Sequence, residues 1–466
     1  MRFRALPVVV GGMLLGGCAT APTSRPPPLT AESVSVRFTA RSLGGAELHA
    51  FIAANLGRDP GAAWDFESLS WAAFYLHPSL ELARAQWATA RAVETTAGVR
   101  PNPTLSVTPG YNFTRTAGIS PWLPAVNLDF LLPTNGKRER QQAIARSDAE
   151  AARLALVTAS WQVRSELRRA LAEAVTTARR ETALRMQADI QRKLVTLLAA
   201  RNAAGAIAAP EVSLVRAAQL RAEAVANDAT GLSLAARVRV AVALGLPVAS
   251  LEGVALPPPP TVAMLAGEAL NAARREALLT RSDLLASLAK YRAAQATLEL
   301  EIAKQIPDIH LGPGYQWDQG ANKWTLALSL ELPLFHRNEA LIAEAKARCA
   351  EAAAQVNIVQ AQVVAAVDAA VAAQTAARIQ LTNAHRLRAE VTAQNSAVRQ
   401  RLVAGGADQF QAETAELELA TVEATALDAE NAVAVASGQL EDALQIPFSH
   451  LSELMAAARN QTTPSP

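Results

Sequence analysis

Aromatic side chains are scarce, at 5% of 466 residues, which argues against a large core built around Phe, Tyr and Trp. An excess of one charge is missing as well: 44 basic residues stand against 42 acidic ones, for a net +2, so nothing points to nucleic acid or to a strongly acidic partner. Cysteine occurs only twice, as Cys18 and Cys349, which gives no disulfide framework. The six histidines (His49, His77, His310, His336, His385 and His450) are scattered with no i, i+4 pair, so no metal-ligand cluster is legible. Nucleophile elbow, HExxH, P-loop and dinucleotide fingerprints are all absent, and the chain reads as a non-enzyme without cofactors. Beyond the first residues no run of about 18 uninterrupted apolar residues occurs; the most apolar stretch, 361–373, is broken by Gln362 and Asp368. A conventional transmembrane helix is therefore not expected, and any membrane crossing must use strands.

What is abundant is alanine, interspersed with Arg, Glu and Gln, the composition of long, closely packed helices. The first residues have another purpose. Arg2 and Arg4 precede the short apolar segment 5–17, which reads as a signal peptide over 1–17. Leu15-Gly16-Gly17-Cys18 has the form of a bacterial lipobox, so cleavage before Cys18 and its lipidation are expected. Ala19 after the cysteine favours sorting to the outer membrane, and several acyl chains anchor firmly, at roughly 0.8 kcal/mol per buried CH₂. The Pro-, Ser- and Gly-rich stretch that follows reads, to about residue 62, as a tether.

The body is written twice. "RPNPTLSVTPGY" (100–111) returns as "KQIPDIHLGPGY" (304–315), each after an Ala-rich helical stretch. Leu132-Pro133 returns as Leu332-Pro333, Ala204-Gly205 as Ala404-Gly405, and Ala243-Leu244-Gly245-Leu246-Pro247 as Ala443-Leu444-Gln445-Ile446-Pro447. Matches in this order predict an internal duplication. Repeat 1 covers 63–250: a helix at 65–100, a β-hairpin within 102–133, then helices at 136–203 and 208–245. Repeat 2 covers 263–450: a helix at 263–304, a hairpin within 306–334, then helices at 337–403 and 408–445. The Pro-rich stretch 251–262 links the halves, and 451–466 is a tail.

The hairpins alternate. Leu105 and Val107 alternate with Ser106 and Thr108, Val126, Leu128 and Phe130 with Asn127 and Asp129, and Leu326, Leu328 and Leu330 with Ser329 and Glu331. Period two puts one set on each face, as in any half-buried sheet. Tyr111, Phe113 and Trp122 flank the first hairpin, and Tyr315, Trp317 and Trp324 the second, which is the placement a membrane barrel uses at the lipid–water boundary. On that reading Ser106, Thr108, Asn127, Asp129, Ser329 and Glu331 line a pore. Four strands cannot close a barrel, and open edges in lipid leave unpaired backbone groups costing several kcal/mol each, so strands from other copies must complete it.

The long helices carry a seam: Ile342, Cys349, Val356 and Val363 recur every seven residues, with Ala345, Ala352, Val359 and Ala366 three residues on. At about 1.5 Å per residue these helices reach roughly 100 Å, a length suited to a conduit or a spacer. The seam alone fits a hollow tube or a solid bundle. Cys349 on it reads as a small buried hydrophobe.

The lipobox, the doubled helix–strand–strand–helix–helix unit and the closing Leu-Pro pairs resemble the TolC-type outer-membrane efflux proteins. "RPNPTLSV" (100–107) and "NGKRERQQAIARSDAEAAR" (135–153) look most like the cobalt–zinc–cadmium, CzcC-type branch. The resemblance implies a mainly α fold with a small β part: a long α-helical barrel below a twelve-stranded transmembrane barrel to which each protomer of a homotrimer gives four strands. It implies a passive duct in the outer membrane, with a periplasmic adaptor and an inner-membrane pump of the resistance–nodulation–division type as partners, and heavy-metal cations as a possible substrate. It also implies a periplasmic gate at two helix–turn–helix tips, here Gly205 to Glu211 and Gly405-Gly406 to Glu413. Where related channels place an acidic ring, this chain has Gln411 and Thr414, which leaves Asp408, Glu413 and Glu416 to take that role. The competing reading is a lipid-anchored periplasmic coiled-coil scaffold that spans no membrane.

Overall fold

The computed structural model describes residues 28–447 except 62, 115–116, 261–264, 266 and 319. The signal peptide 1–17, Cys18 and the tail 451–466 lie outside the described residues.

Helices α1 (Ala31–Thr39) and α2 (Ala46–Leu56) occupy the stretch expected to be a tether. The difference is physical. Leu43, Leu48 and Ile52 are buried in the largest apolar core of the chain, so α2 is held by packing that its Gly-rich surroundings do not advertise. The helix expected at 65–100 is two helices, α3 (Phe66–Leu76) and α4 (Pro78–Ala97). Pro78 begins α4, where its missing N–H costs nothing, and forces His77 out of helical geometry.

β1 (Thr104–Thr108) and β2 (Ala125–Leu132) follow. Both are shorter than the alternation suggested, because Pro109, Pro121 and Pro124 have no N–H to give to a ladder. Beyond Thr108 the pairing persists as the Gly110–Leu123 hydrogen bonds, a bridge between Tyr111 and Trp122, and a bond from Asn112 N to Pro121 O at 2.6 Å. Helix α5 (Lys137–Ala203) then runs 67 residues, about 100 Å, and α6 (Ala209–Leu244) returns beside it.

The second repeat copies the order. α7 (Gly267–Thr280) and α8 (Ser282–Ala303) break at Arg281, β3 (Ile309–Asp318) and β4 (Ala321–Leu330) form the hairpin, and α9 (Glu339–Val403) and α10 (Gln409–Leu444) close the chain. Helices α6 and α10 are each 36 residues long. Each ends on a residue with positive φ, Gly245 at 72° and Gln445 at 51°. Gln445 holds this less favoured geometry while its side-chain oxygen accepts from Ser282 N at 3.0 Å and Ser282 Oγ at 2.9 Å.

The four strands form one antiparallel sheet in the order β1-β2-β3-β4, so β1 and β4 carry its two edges. Glu331, expected in the second hairpin, lies just past the end of β4, two residues before Pro333. The heptad seam holds from Ile342 through Val363 and continues through Ala370, Ala377, Ala384 and Val391, all buried. The second track shifts by one: Ala366 is exposed and Val367 buried. An α-helix has 3.6 rather than 3.5 residues per turn, and the drift moves the seam around the helix. Cys349 is half-buried rather than enclosed. Helix α9 also contains an 18-residue window apolar enough to cross a bilayer, which counting uninterrupted apolar runs missed; only 17% of it is buried within the chain.

Candidate functional site: the sheet faces and the helical tips

Register decides what the sheet presents. Val107, Val126, Tyr315 and Trp324 stand side by side across all four strands. Phe130, Leu311 and Leu328 form another row, and Leu132, Ile309 and Leu330 a third. This face is apolar along these rows and exposed, with Trp324 at 81% and Leu326 at 70%; toward the hairpin end Asn322 stands on it opposite Trp317 and accepts from the Tyr315 hydroxyl at 2.6 Å. Its aromatic pairs, Tyr111–Trp122 and Tyr315–Trp324, have ring centroids 5.0 Å apart and sit toward the hairpin ends.

Alternation puts the other side chains on the opposite face. Ser106 lies opposite Asn127, Asn127 opposite Gly314, and Gly314 opposite Thr325. Gly314 leaves room there for its neighbours' side chains. A Cβ would come within 2.1 Å of Asn127 Oδ1 and 2.7 Å of Thr325 Oγ1. Gly110, its counterpart in the repeated Pro-Gly-Tyr, is needed for a different close approach, since its Cβ would lie 2.7 Å from the Leu123 carbonyl oxygen. Of the residues expected to line a pore, Ser106, Thr108, Asn127, Asp129 and Ser329 share this polar face; Glu331 continues from its lower end.

The structure adds residues to that face. His310 Nδ1 lies 2.9 Å from Asp129 Oδ2, although the two are 181 residues apart in sequence. Thr104, Gln316, Lys323 and Thr325 share the face, and Lys323 forms an ion pair with Asp318. The parity of β3 and β4 contains the signal for these residues, but only the pairing register brings His310 to Asp129. Among the described residues no group of three metal-binding side chains forms.

Where the sheet meets the helices a cavity of about 570 Å³ opens, lined among others by Lys137, Asp308, His310, Glu331 and His336. Lys137 Nζ donates to Asp308 Oδ1 at 2.8 Å, and Thr134 N donates to the same oxygen at 2.9 Å. These bonds tie the start of α5 to the start of β3, one repeat to the other. Burial works against the Asp308 carboxylate, but the Lys137 and Thr134 bonds outweigh it and hold its pKa below the ordinary value. A depressed pKa contributes stability above the unfolded value, about 3.9, that is lost as pH falls below it. Asp308→Asn should therefore lower the melting temperature at about pH 7 and make little difference at about pH 3. An equal loss at both pH values would show that the carboxylate's charge is not what matters.

At the far end of the rods, Gly205 and Gly405 adopt φ of 71° and 76° and end α5 and α9. The Ala206 N–H donates to Arg201 O and the Gly406 N–H to Arg401 O, at 2.9 and 2.7 Å, which closes each helix by the same hydrogen bond. The acids considered for a gate are already engaged within the chain. Asp408 caps α10 through Gln411 N and accepts from Arg201 Nη2 at 2.8 Å, so the two tips are joined. Glu413 is buried, accepts from Gln409 Nε2 at 2.9 Å and faces Lys193 at 3.8 Å. Glu416 pairs with Arg399, and Glu211 bends back toward the Ala208 N–H at 3.5 Å.

Residues 273–444 match the outer membrane efflux protein family. The outer-membrane channel OprN superposes with a TM-score of 0.67 at 18% identity, over 88% of this chain and 98% of that one. The fold is that of the outer-membrane efflux channels. VceC from Vibrio cholerae gives 0.67 at 20% identity, over 82% of this chain and 96% of its own. The open-state MtrE channel of Neisseria gonorrhoeae gives 0.68 at 19%, over 81% and 88%. No curated protein matches the chain. The four-stranded sheet and the paired long helices, with their tips at Gly205 and Gly405, are the two parts of that fold in this chain.

Proposed function

We propose that this chain is the outer-membrane duct of a tripartite efflux system, a homotrimer that receives substrate from a periplasmic adaptor and an inner-membrane pump. The observation that carries it is the sheet: one face apolar from Val107 to Trp324 and down to Leu330, the other polar, both edges unpaired among the described residues, mounted on helices of about 100 Å. Lipid covers the first face, water the second, and neighbouring copies pair with the edges. A periplasmic scaffold would leave the row from Val107 to Trp324 exposed to water without use. The efflux-protein match and the channel fold belong to conduits, and the chain is not an enzyme. The pore lining is Ser106, Thr108, Asn127, Asp129 and Ser329, with His310 and Lys323 added and Glu331 at the lower rim; the gate is at the tips. Heavy-metal cations are the finer reading of the cargo, supported by the CzcC-like segments 100–107 and 135–153 and by the carboxylates of Asp129 and Asp318 on the polar face. Lipidation at Cys18 belongs to the same reading.

Mass and conductance of the detergent-extracted protein test it together. A trimer that gives discrete current steps in liposomes is expected. Larger steps are expected once Gly405 and Gly406 are both replaced by bulky residues that loosen the tip. A monomer that stays silent with both glycines replaced would sink the duct.

A further inference from the structure

A groove of about 400 Å³ lies on the first repeat, between α3 and α5. Its floor is Trp71, Phe74, Val157 and Trp161, Arg164 stands at its side, and Pro447, from the end of the second repeat, forms part of its wall. Arg164 is not free to take a ligand there: it donates to Glu441 Oε1 at 3.0 Å and stacks over Phe66 at 4.6 Å. The groove therefore offers aromatic surface whose guanidinium is already engaged, with Glu67 also among its lining residues.

The duplication marks the segment after α10 as one that packs, and Pro447 in the groove wall points to where. After α6 the chain runs Leu246-Pro247, turns through Val248–Leu251 and buries Leu251 completely in the first repeat's core. Val254 and Leu256 pack against the same core. After α10 the chain runs Ile446-Pro447, and the residues in register with Val248, Leu251 and Val254 are Phe448, Leu451 and Leu454. Phe448, Leu451, Leu454 and Met455 fall at the spacing of one helical face. Pro447, the residue before that segment, is already in the groove wall.

We propose that residues 448–455 dock in the Trp71–Trp161 groove, with Phe448 and Leu451 as the anchors. The end of the second repeat is thereby seated on the first, and the two halves are clasped at the level of α3.

Disulfide trapping in the full chain tests this, in a Cys349→Ala background. Ser452→Cys is paired with Ser160→Cys at the groove, or with Gln439→Cys, which is exposed on α10 and lines a separate cavity. Oxidation should trap the groove pair several-fold faster than the α10 pair. Adding Phe448→Ser and Leu451→Ser should remove that preference while the protein keeps its oligomeric mass. Equal trapping at both positions, or trapping unaffected by loss of the anchors, overturns the proposal. A product of twice the chain mass also overturns it, because the tail would then lie on a neighbouring copy.

Discussion

Glu441→Leu should cost about 3–5 kcal/mol, the loss expected when one partner of a buried ion pair is removed. Glu441 is wholly buried, and Arg168, which pairs with it, is 2% exposed. Arg164 and Arg168 approach the carboxylate from α5 of the first repeat, while Glu441 and Asp442 come from α10 of the second. The arrangement is closed by smaller parts. Arg168 Nη1 donates to the Gly438 carbonyl at 3.3 Å, and a Cβ on Gly438 would meet Arg168 Cδ at 2.8 Å, so glycine lets the guanidinium pass. Burial pulls the Arg168 pKa down to about 9, against the pull of Asp442, which leaves the group charged at neutral pH. Burial pushes the Asp442 carboxyl up, opposed by the Ser165 hydroxyl and by Arg168.

Without Glu441 two guanidinium groups lose their buried acceptor and share the partly exposed Asp442 carboxylate. The control is the exposed pair Arg153–Glu150, where Glu150→Ala should change stability by less than about 1 kcal/mol. Arg168→Met combined with Glu441→Leu should recover part of the single-site loss, since an apolar replacement of both partners removes the stranded charge. Thermal melting of the extracted protein reads all three variants. A Glu441→Leu shift no larger than the Glu150→Ala shift would show that the cluster does not lock the repeats.

The second large effect separates the faces of the sheet. Leu328→Arg places a charge in the middle of the apolar face, opposite Leu311, and should cost about 2–4 kcal/mol if that face meets the bilayer midplane. Its neighbour Ser329 lies opposite His310 on the polar face. Ser329→Arg should insert normally and shift ion preference toward anions, because a fixed positive charge repels cations in a narrow pore. Heat-modifiable migration and membrane fractionation measure the first effect, and reversal potentials in asymmetric salt measure the second. If Ser329→Arg prevents insertion while Leu328→Arg does not, the faces are assigned the wrong way round.

How much of this was legible varied with how local the cause is. The long helices were readable almost to the residue: 136–203 and 337–403 became Lys137–Ala203 and Glu339–Val403. Their limits are set by alanine runs and by the turns after Ala203 and Val403, all within a few residues. The Pro-Gly-Tyr repeat likewise marked both hairpins, because strand alternation and turn chemistry are local. The strand lengths were overread where Pro109, Pro121 and Pro124 deny hydrogen bonds that alternation alone assumes.

The sequence by itself determined the doubled order of elements, the limits of the long helices and the two-faced character of each strand, since all follow from spacing along the chain. The tertiary structure alone decided what is brought together across it. The core burial of Leu48 and Ile52, His310 beside Asp129, the tips joined by Arg201 and Asp408, and the Arg168–Glu441 lock all join residues far apart in sequence. Such pairs leave no periodic trace, because their energies depend on register, burial and desolvation, which exist only once the two repeats have packed.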